Sequence, residues 1–196
     1  MTAERKLSLP PMTVEAFFAW DGGGHVGKLE RVEGIVRAMA PASANHSFIQ
    51  GNIVTALKNH LRATGSRFRT GPEAPVVPPL HAYKNARVPD VAVTCAPPSG
   101  SKVFEDPILI VEVLSPSNEN ETWESITALA GLLALKEILV VQSTFVEAEV
   151  YTRDATGAWP NEPVITRAGG TVRLTSIDLD LPMSEVYEGT ILEPTA

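Results

Sequence analysis

Two short apolar runs in the middle of the chain have the pattern of buried strands. Residues 88–94 are rich in β-branched side chains, and residues 107–114 form an apolar run that starts at a proline. Apolar runs of this length, bounded by turn residues, are typical of strands in the interior of a sheet. We therefore expect the two runs to form the central pair of strands.

Each of these runs is interrupted by one carboxylate, Asp90 in the first and Glu112 in the second. A buried carboxylate without a partner is costly, and a metal ion or a partner charge is the usual compensation. Two carboxylates on neighbouring strands can hold one hard divalent cation, which activates water and stabilises a phosphoryl transition state. The alternative is structural: Asp90 caps the start of its strand, and Glu112 pairs with an arginine.

Hydrophobic periodicity predicts helices and further strands on both sides of this pair. One helix runs from an N-cap at Thr13 to Trp20, and a longer one begins at Ser43 or Asn45 and ends at Gly65. A third helix covers residues 119–135, and a short one lies within residues 181–187. The remaining predicted strands are 29–32, 35–39, 68–77, 137–142, 146–153, 164–166 and 171–175, with hairpin turns at residues 33–34 and 168–170.

This order of elements indicates one α/β (α+β) domain with a mixed sheet. We expect a loose N-terminal arm at residues 1–11, a single domain at residues 12–190 and a C-terminal tail at residues 191–196. The single cysteine, Cys95, excludes an intramolecular disulfide and is compatible with the cytoplasm. The sequence has no signal-peptide core and no apolar run of membrane-spanning length.

The formal net charge of −7 argues against strong non-specific binding to nucleic acid, because phosphate contacts need Lys and Arg. It does not exclude a nuclease, since a local basic rim can coexist with an acidic remainder. The helix predicted at 119–135 carries little charge after Glu124. We therefore expect it to be buried in the domain or in a homodimer, with the late strands as a second candidate surface.

Four motifs follow one another along the chain: L-E-R-V-E-G-I-V at 29–36, A-S-A-N-H at 42–46, R-V-P-D-V-A-V at 87–93 and I-V-E-V-L-S-P-S at 110–117. This order resembles the Uma-type putative restriction endonuclease family of the PD-(D/E)xK nuclease superfamily. The resemblance implies a restriction-endonuclease-like mixed sheet flanked by helices, with an N-terminal β-hairpin and C-terminal β-hairpins. It also implies a DNA endonuclease that depends on Mg²⁺ or Mn²⁺.

The resemblance carries functional expectations to individual residues. Asp90, Glu112 and the backbone carbonyl of Val113 would hold the metal ion, with Glu30 at the edge of the active site. His46 would orient a phosphate or a carboxylate. The structural alternatives are a solvated strand residue for Glu30 and a hydrogen-bonded structural residue for His46.

The sequence departs from the superfamily pattern at the lysine two residues after the glutamate, because Leu114 stands there. Many proteins of the family that the chain resembles carry a lysine early in the next helix instead, and an alignment without gaps places that lysine at Ser125. A replacement cation is therefore needed, and Arg87 and Lys136 are the sequence candidates. Arg87 would bind a phosphate, although pairing with Asp90 or Glu112 is its structural alternative. The alternative function is a catalytically impaired nuclease fold that acts as a binding or interaction module.

Overall fold

A computed structural model describes residues 5–6, 12–24 and 27–193 of the chain. The predicted arm therefore lies outside the described residues except for residues 5–6, and so do residues 194–196 of the predicted tail. The helices are α1 (Val14–Ala19), α2 (Ala44–Ala63), α3 (Glu119–Leu129) and α4 (Met183–Val186). The strands are β1 (Arg5–Lys6), β2 (Leu29–Val32), β3 (Ile35–Ala38), β4 (Arg69–Pro72), β5 (Val91–Thr94), β6 (Pro107–Leu114), β7 (Glu137–Gln142), β8 (Glu147–Thr152), β9 (Val164–Arg167), β10 (Thr171–Leu174) and β11 (Leu179–Pro182).

The centre of the fold is a six-stranded mixed sheet in the order β4-β5-β6-β7-β8-β9. Strands β6 and β7 are parallel, whereas the other neighbours in the sheet are antiparallel. Parallel strands need a long crossover, which α3 supplies between β6 and β7. The smaller sheets are β1-β3-β2 and β10-β11. Among the described helices, none is long and apolar enough to cross a membrane.

Apolar side chains on the two faces of the central sheet form two separate layers. One layer contains the apolar stripe of α2 and alternate residues of the sheet, among them Ile49, Ile53, Leu57, Val91, Val111 and Leu139. The other contains the buried face of α3, with Ile110, Leu114, Ile126, Leu129 and Val140. The sheet is therefore covered by α2 on one face and by α3 on the other, as its continuous apolar runs require.

The N-terminal hairpin is fixed by its two-residue turn, in which Glu33 and Gly34 have φ values of 48° and 86°. Positive φ at both central positions defines the turn type that joins twisted antiparallel strands. The hairpin is tied to the central sheet through Arg31, whose backbone exchanges hydrogen bonds of 2.9 Å with Ala86. This bridge brings the second half of β2 close to the residues that lead into β5.

Three predicted elements are clearly longer than the observed ones. The strand predicted at 68–77 is reduced to β4, at Arg69–Pro72. Strand β5 starts at Val91 rather than at Val88, and the residues before it make isolated bridges at Ala86 and Arg87. Pro89 explains the break, because it has no N–H for the ladder. The helix predicted at 119–135 ends at Leu129, and Leu133 beyond it is 94% exposed.

Side chains from the loop after β8 contact the end of α3. The carbonyl oxygen of Ala130 accepts hydrogen bonds from Arg153 at 2.5 Å and from the indole N–H of Trp159 at 2.9 Å. Arg153 also donates to the carbonyl of Leu132 at 3.1 Å. These two side chains from the loop after β8 thus satisfy carbonyls at the end of the helix, and Gly131, a weak helix former, follows it.

The predicted hairpin around residues 168–170 is wrong, although C-terminal hairpins are present. Strand β9 pairs with β8 in the central sheet, whereas β10 pairs with β11 in a separate two-stranded sheet. The difference follows from burial: β10 alternates, with Val172 and Leu174 fully buried in the α2 layer, whereas Val164 and Ile165 of β9 are 71% and 45% exposed. The two strands face different surroundings and therefore separate at the glycine turn.

Candidate active site

Asp90 and Glu112 lie side by side where β5 begins. Val91 pairs with Val111, so the preceding residue Asp90 is brought next to Glu112. The backbone N–H of Asp90 donates to Oε2 of Glu112 at 3.3 Å, and the N–H of Val113 donates to Oδ2 of Asp90 at 2.8 Å. Both carboxylates are buried. Each is thus held by the backbone of the other's strand.

Lys28 is the residue that sequence reasoning missed. Its Nζ lies 3.1 Å from Oδ1 of Asp90, and its side chain is 16% exposed. The carbonyl of Lys28 accepts a 3.0 Å hydrogen bond from the N–H of Met39, which extends the hairpin ladder by one residue. The period of two along β2 puts Lys28 and Glu30 on the same face. This spacing was the signal in the sequence that could have indicated Lys28 as a residue of the site.

The first turns of α2 supply two further contacts to Asp90. Nε2 of His46 lies 3.3 Å from Oδ1 of Asp90, and the side-chain amide of Gln50 donates to the Asp90 carbonyl at 2.8 Å. His46 and Gln50 are four residues apart and therefore share one face of the helix. Ser43 caps the helix by accepting the N–H of His46 at 3.2 Å.

Helix α3 contacts the site through residue 125, the position at which the resemblance leads us to expect a lysine. Oγ of Ser125 lies 3.3 Å from Oε1 of Glu112, and both residues are buried. Leu114, at the other lysine position, packs with Ile126 and Leu129 in the apolar layer under α3. Position 125 thus faces the glutamate but brings a hydroxyl rather than a charge.

Glu30 and Arg87 form a buried pair beside the two carboxylates. Nη1 of Arg87 lies 3.4 Å from Oε2 of Glu30, and Oε1 of Glu30 accepts the N–H of Val88 at 2.7 Å. Glu30 is 4% exposed, so the interpretation as a solvated strand residue is wrong. The observed partner of Arg87 is Glu30 rather than Asp90 or Glu112. The pair holds the backbone two residues before Asp90.

The ionisation of the site is asymmetric. Burial disfavours the charged form of Asp90, but the hydrogen bond from His46 and the charge of Lys28 outweigh it and lower its pKa to about 2. Burial and the charge of Asp90 together raise the pKa of Glu112 well above its ordinary value. Burial also disfavours the Lys28 ammonium, yet the charges of Asp90, Glu112 and Glu30 raise its pKa. One ammonium therefore compensates one carboxylate of the pair.

A cleft of about 1110 Å³ opens onto this group of residues. Asp90, Lys28 and His46 line it, together with hydroxyl and amide side chains from three loops and the start of α2. Those neutral polar residues are Ser43, Asn45, Ser115, Ser117, Asn118, Ser143 and Thr144. A ligand in the cleft would thus meet Asp90 and its two side-chain partners.

The donor set suits a hard divalent cation with few protein ligands. Within the described part of the chain, no three or more His, Cys, Asp or Glu side chains are arranged to hold a metal ion. Mg²⁺, however, commonly uses one or two carboxylates and completes its shell with water and phosphate oxygens. Asp90 and Glu112 provide two such carboxylates, with the ammonium of Lys28 against Asp90. The chemistry of the residues present therefore fits the cation that the resemblance implies.

Comparison with known proteins identifies first the fold and then the family. A crystal structure of a putative nuclease belonging to DUF820 from Anabaena variabilis superposes with a TM-score of 0.71, covers 90% of this chain and 98% of its own, and is 17% identical. The predicted restriction-endonuclease-like fold, with its mixed sheet and hairpins, is confirmed by this match. An uncharacterized protein of Synechocystis sp. is 30% identical over 183 residues, which are 92% of this chain and 93% of that protein. A family model, Uma2, described as putative restriction endonuclease, matches residues 14–184, so the chain belongs to this family.

Proposed function

We propose that this protein is a DNA endonuclease that hydrolyses phosphodiester bonds with Mg²⁺ or Mn²⁺ at the Asp90–Glu112 site. The observation that carries the proposal is the charge of the site. Asp90 and Glu112 are buried side by side, Asp90 lines the cleft, and Lys28 is the one lysine among the described residues whose ammonium contacts this pair, through Asp90. A divalent cation would supply the missing compensation and would draw anionic phosphate to the same place.

Asp90 and Glu112 would hold the cation, joined by the backbone carbonyl of Val113. The bound cation would supply an acidic water and would stabilise negative charge on phosphorus oxygens. The chain's own residues set the geometry: Val113 N–H and His46 orient the Asp90 carboxylate. Ser125 orients the Glu112 carboxylate in the same way.

Glu30 takes the part of a positioning residue in this proposal. Its carboxylate fixes the N–H of Val88 and the guanidinium of Arg87, and both precede Asp90 in the chain. His46 faces the cleft and is the better placed of the two to meet a phosphate or a water molecule. We assign the activity to the cytoplasm, with which the free thiol of Cys95 is compatible.

Plasmid nicking tests the proposal directly. We expect the wild-type protein to nick supercoiled DNA with Mg²⁺ or Mn²⁺ and to lose this activity in EDTA. Asp90→Asn and Glu112→Gln should abolish nicking, whereas Glu105→Gln, an exposed carboxylate just before β6, should leave it unchanged. Nicking that persists undiminished in Asp90→Asn would assign the activity to another site or to a contaminant.

A specific observation favours the second candidate, a binding module that does not cleave. Neither Leu114 nor Ser125 brings a cation to Glu112, and the whole chain carries a formal net charge of −7. A weakened site of this kind would still bind a divalent cation through its carboxylates. Metal binding without nicking by the wild-type protein would favour this function over the endonuclease.

A further inference from the structure

Lys28 is the one lysine or arginine among the described residues that line the cleft. The other lining residues with ionisable side chains are His46, Glu73 and Asp90, and the remainder are neutral polar or apolar. Phosphate contacts in proteins depend strongly on lysine and arginine charges. An anionic ligand in this cleft would therefore find its fixed positive charge at Lys28.

The position of Lys28 allows its ammonium to contact Asp90 and a ligand at the same time. Its ammonium contacts Oδ1 of Asp90 at 3.1 Å, while 16% of its side chain stays exposed. An ammonium has three donors, so the contact with Asp90 leaves capacity for a phosphate oxygen. The hairpin ladder holds the backbone of Lys28 through Met39, which places the side chain on a rigid element.

The other candidates for the positive charge of the site are less suitably placed to contact a ligand in the cleft. Arg87 is 5% exposed and is paired with Glu30. Lys136 lies at a different cleft, which is lined by Arg153 and Thr175 rather than by the two carboxylates. Ser125, on the helix, brings a hydroxyl to Glu112.

We propose that Lys28 contacts the scissile phosphate and supplies the positive charge that Leu114 and Ser125 do not. This inference rests on the proposed function, since it names the residue of that site that binds the phosphate. The ammonium would hold a non-bridging oxygen of the phosphate while Asp90 keeps it in place. The role belongs to the N-terminal hairpin rather than to the strand of Glu112 or to α3.

The test separates a phosphate contact from a structural role by the salt dependence of binding. Lys28→Gln removes the charge but keeps a hydrogen-bond donor for Asp90, Lys28→Arg keeps the charge, and Lys136→Met is the control at the other cleft. Binding of a short fluorescent DNA duplex is measured in EDTA over a range of salt concentrations. Nicking is measured with Mn²⁺, and thermal unfolding reports on the fold of each variant.

We expect Lys28→Gln to lower the slope of log affinity against log salt by about 0.9, the value for one phosphate contact. Its nicking rate should fall by roughly 10²–10³-fold. Lys28→Arg should keep the slope, and Lys136→Met should keep both the slope and the rate. If Lys28→Gln does not fold, Lys28→Met takes its place, and a slope equal to that of the wild type in this variant would contradict a phosphate contact.

The outcomes distinguish this inference from the proposed function. Wild-type nicking with an unchanged slope and rate in Lys28→Gln would overturn the role of Lys28 and leave the endonuclease standing. A lowered slope in Lys28→Gln without nicking by the wild type would support the phosphate contact and reject the endonuclease. A wild-type protein that neither binds nor nicks DNA would overturn both.

Discussion

The ammonium of Lys28 lies 3.1 Å from Oδ1 of Asp90, although the two residues are 62 positions apart in the chain. The contact joins the N-terminal hairpin to the start of β5 and gives Asp90 its counter-charge. Glu112, beside Asp90, is left with hydroxyl and backbone donors.

Removal of the Lys28 charge should strengthen the binding of a divalent cation. A dication a few ångströms from an ammonium is repelled, so Lys28→Met should tighten Mn²⁺ binding by about tenfold even with strong solvent screening. Titration calorimetry of Lys28→Met against Lys136→Met measures the effect. A weaker affinity in Lys28→Met would mean that the ammonium organises the site rather than competing with the metal ion.

The stability of the protein should depend on Asp90 at acidic pH. The folded-state pKa of Asp90 is about 2, below its ordinary value of 3.8. A depressed pKa stabilises the fold above the ordinary value, and this stability is lost as the pH falls from about 4 towards 2. The loss should be on the order of 2 kcal/mol. Urea unfolding across this range should show it in the wild type, and Asp90→Asn should show a smaller loss.

Glu112 should have the opposite effect on the pH dependence of stability. Burial and the charge of Asp90 raise its pKa, so the stability that it contributes is present below its ordinary pKa and is lost as the pH rises through the folded-state value. Glu112→Gln should therefore raise the free energy of unfolding at neutral pH without metal. Chemical denaturation at pH 7 tests this, and a less stable Glu112→Gln would contradict the assigned ionisation.

Glu137 provides a comparison with Glu112, because it is fully buried but has many donors. It accepts hydrogen bonds from Thr152, from the N–H and hydroxyl of Thr175 and from the N–H of Ser176. Burial disfavours its charged form, but hydrogen bonding from Ser176 and Thr175 outweighs burial and lowers its pKa. We expect Glu137→Gln to cost about 1–3 kcal/mol by mispairing these donors. The Mn²⁺ affinity of Glu137→Gln should equal that of the wild type. A changed affinity would show that Glu137 is not a valid control for Glu112.

The Arg87–Glu30 pair should matter for stability more than for phosphate binding. Arg87→Met leaves the buried Glu30 carboxylate without its cation and should cost about 3–5 kcal/mol. The double variant Glu30→Gln with Arg87→Met should recover much of this loss in urea unfolding. A stable Arg87→Met protein with a lowered salt slope for DNA binding would instead restore Arg87 as a phosphate ligand.

The sequence predicted the elements whose pattern is local. Strands β6 and β7 have the predicted bounds because their apolar runs are continuous, and Ser43 and Gly65 bound α2 through cap chemistry. The strands that pair with β9 and β10 could not be predicted from the local sequence pattern, since pairing depends on which face is buried. Lys28 was missed for the same reason: a lysine before a hairpin is usually solvated, and tertiary contact alone gives it a role.

The homodimer stays a prediction. Edge strand β9 exposes Val164 and Ile165 by 71% and 45%, and Leu133 after α3 is 94% exposed. Such residues on a sheet edge favour pairing with a second copy. We expect Val164→Lys to lower the mass measured by light scattering, whereas a monomeric mass for the wild type at high micromolar concentration would contradict the dimer.

The most direct test of the central claim is a Mn²⁺ titration of the wild-type protein and of Glu112→Gln at several pH values. If Asp90 and Glu112 hold one divalent cation, the wild type should bind Mn²⁺ and release a proton, because the raised pKa of Glu112 means that metal binding has to ionise it. Its affinity should therefore increase with pH, and Glu112→Gln should bind weakly at every pH. Equal affinity in the two proteins, or no binding by the wild type, would contradict the metal site.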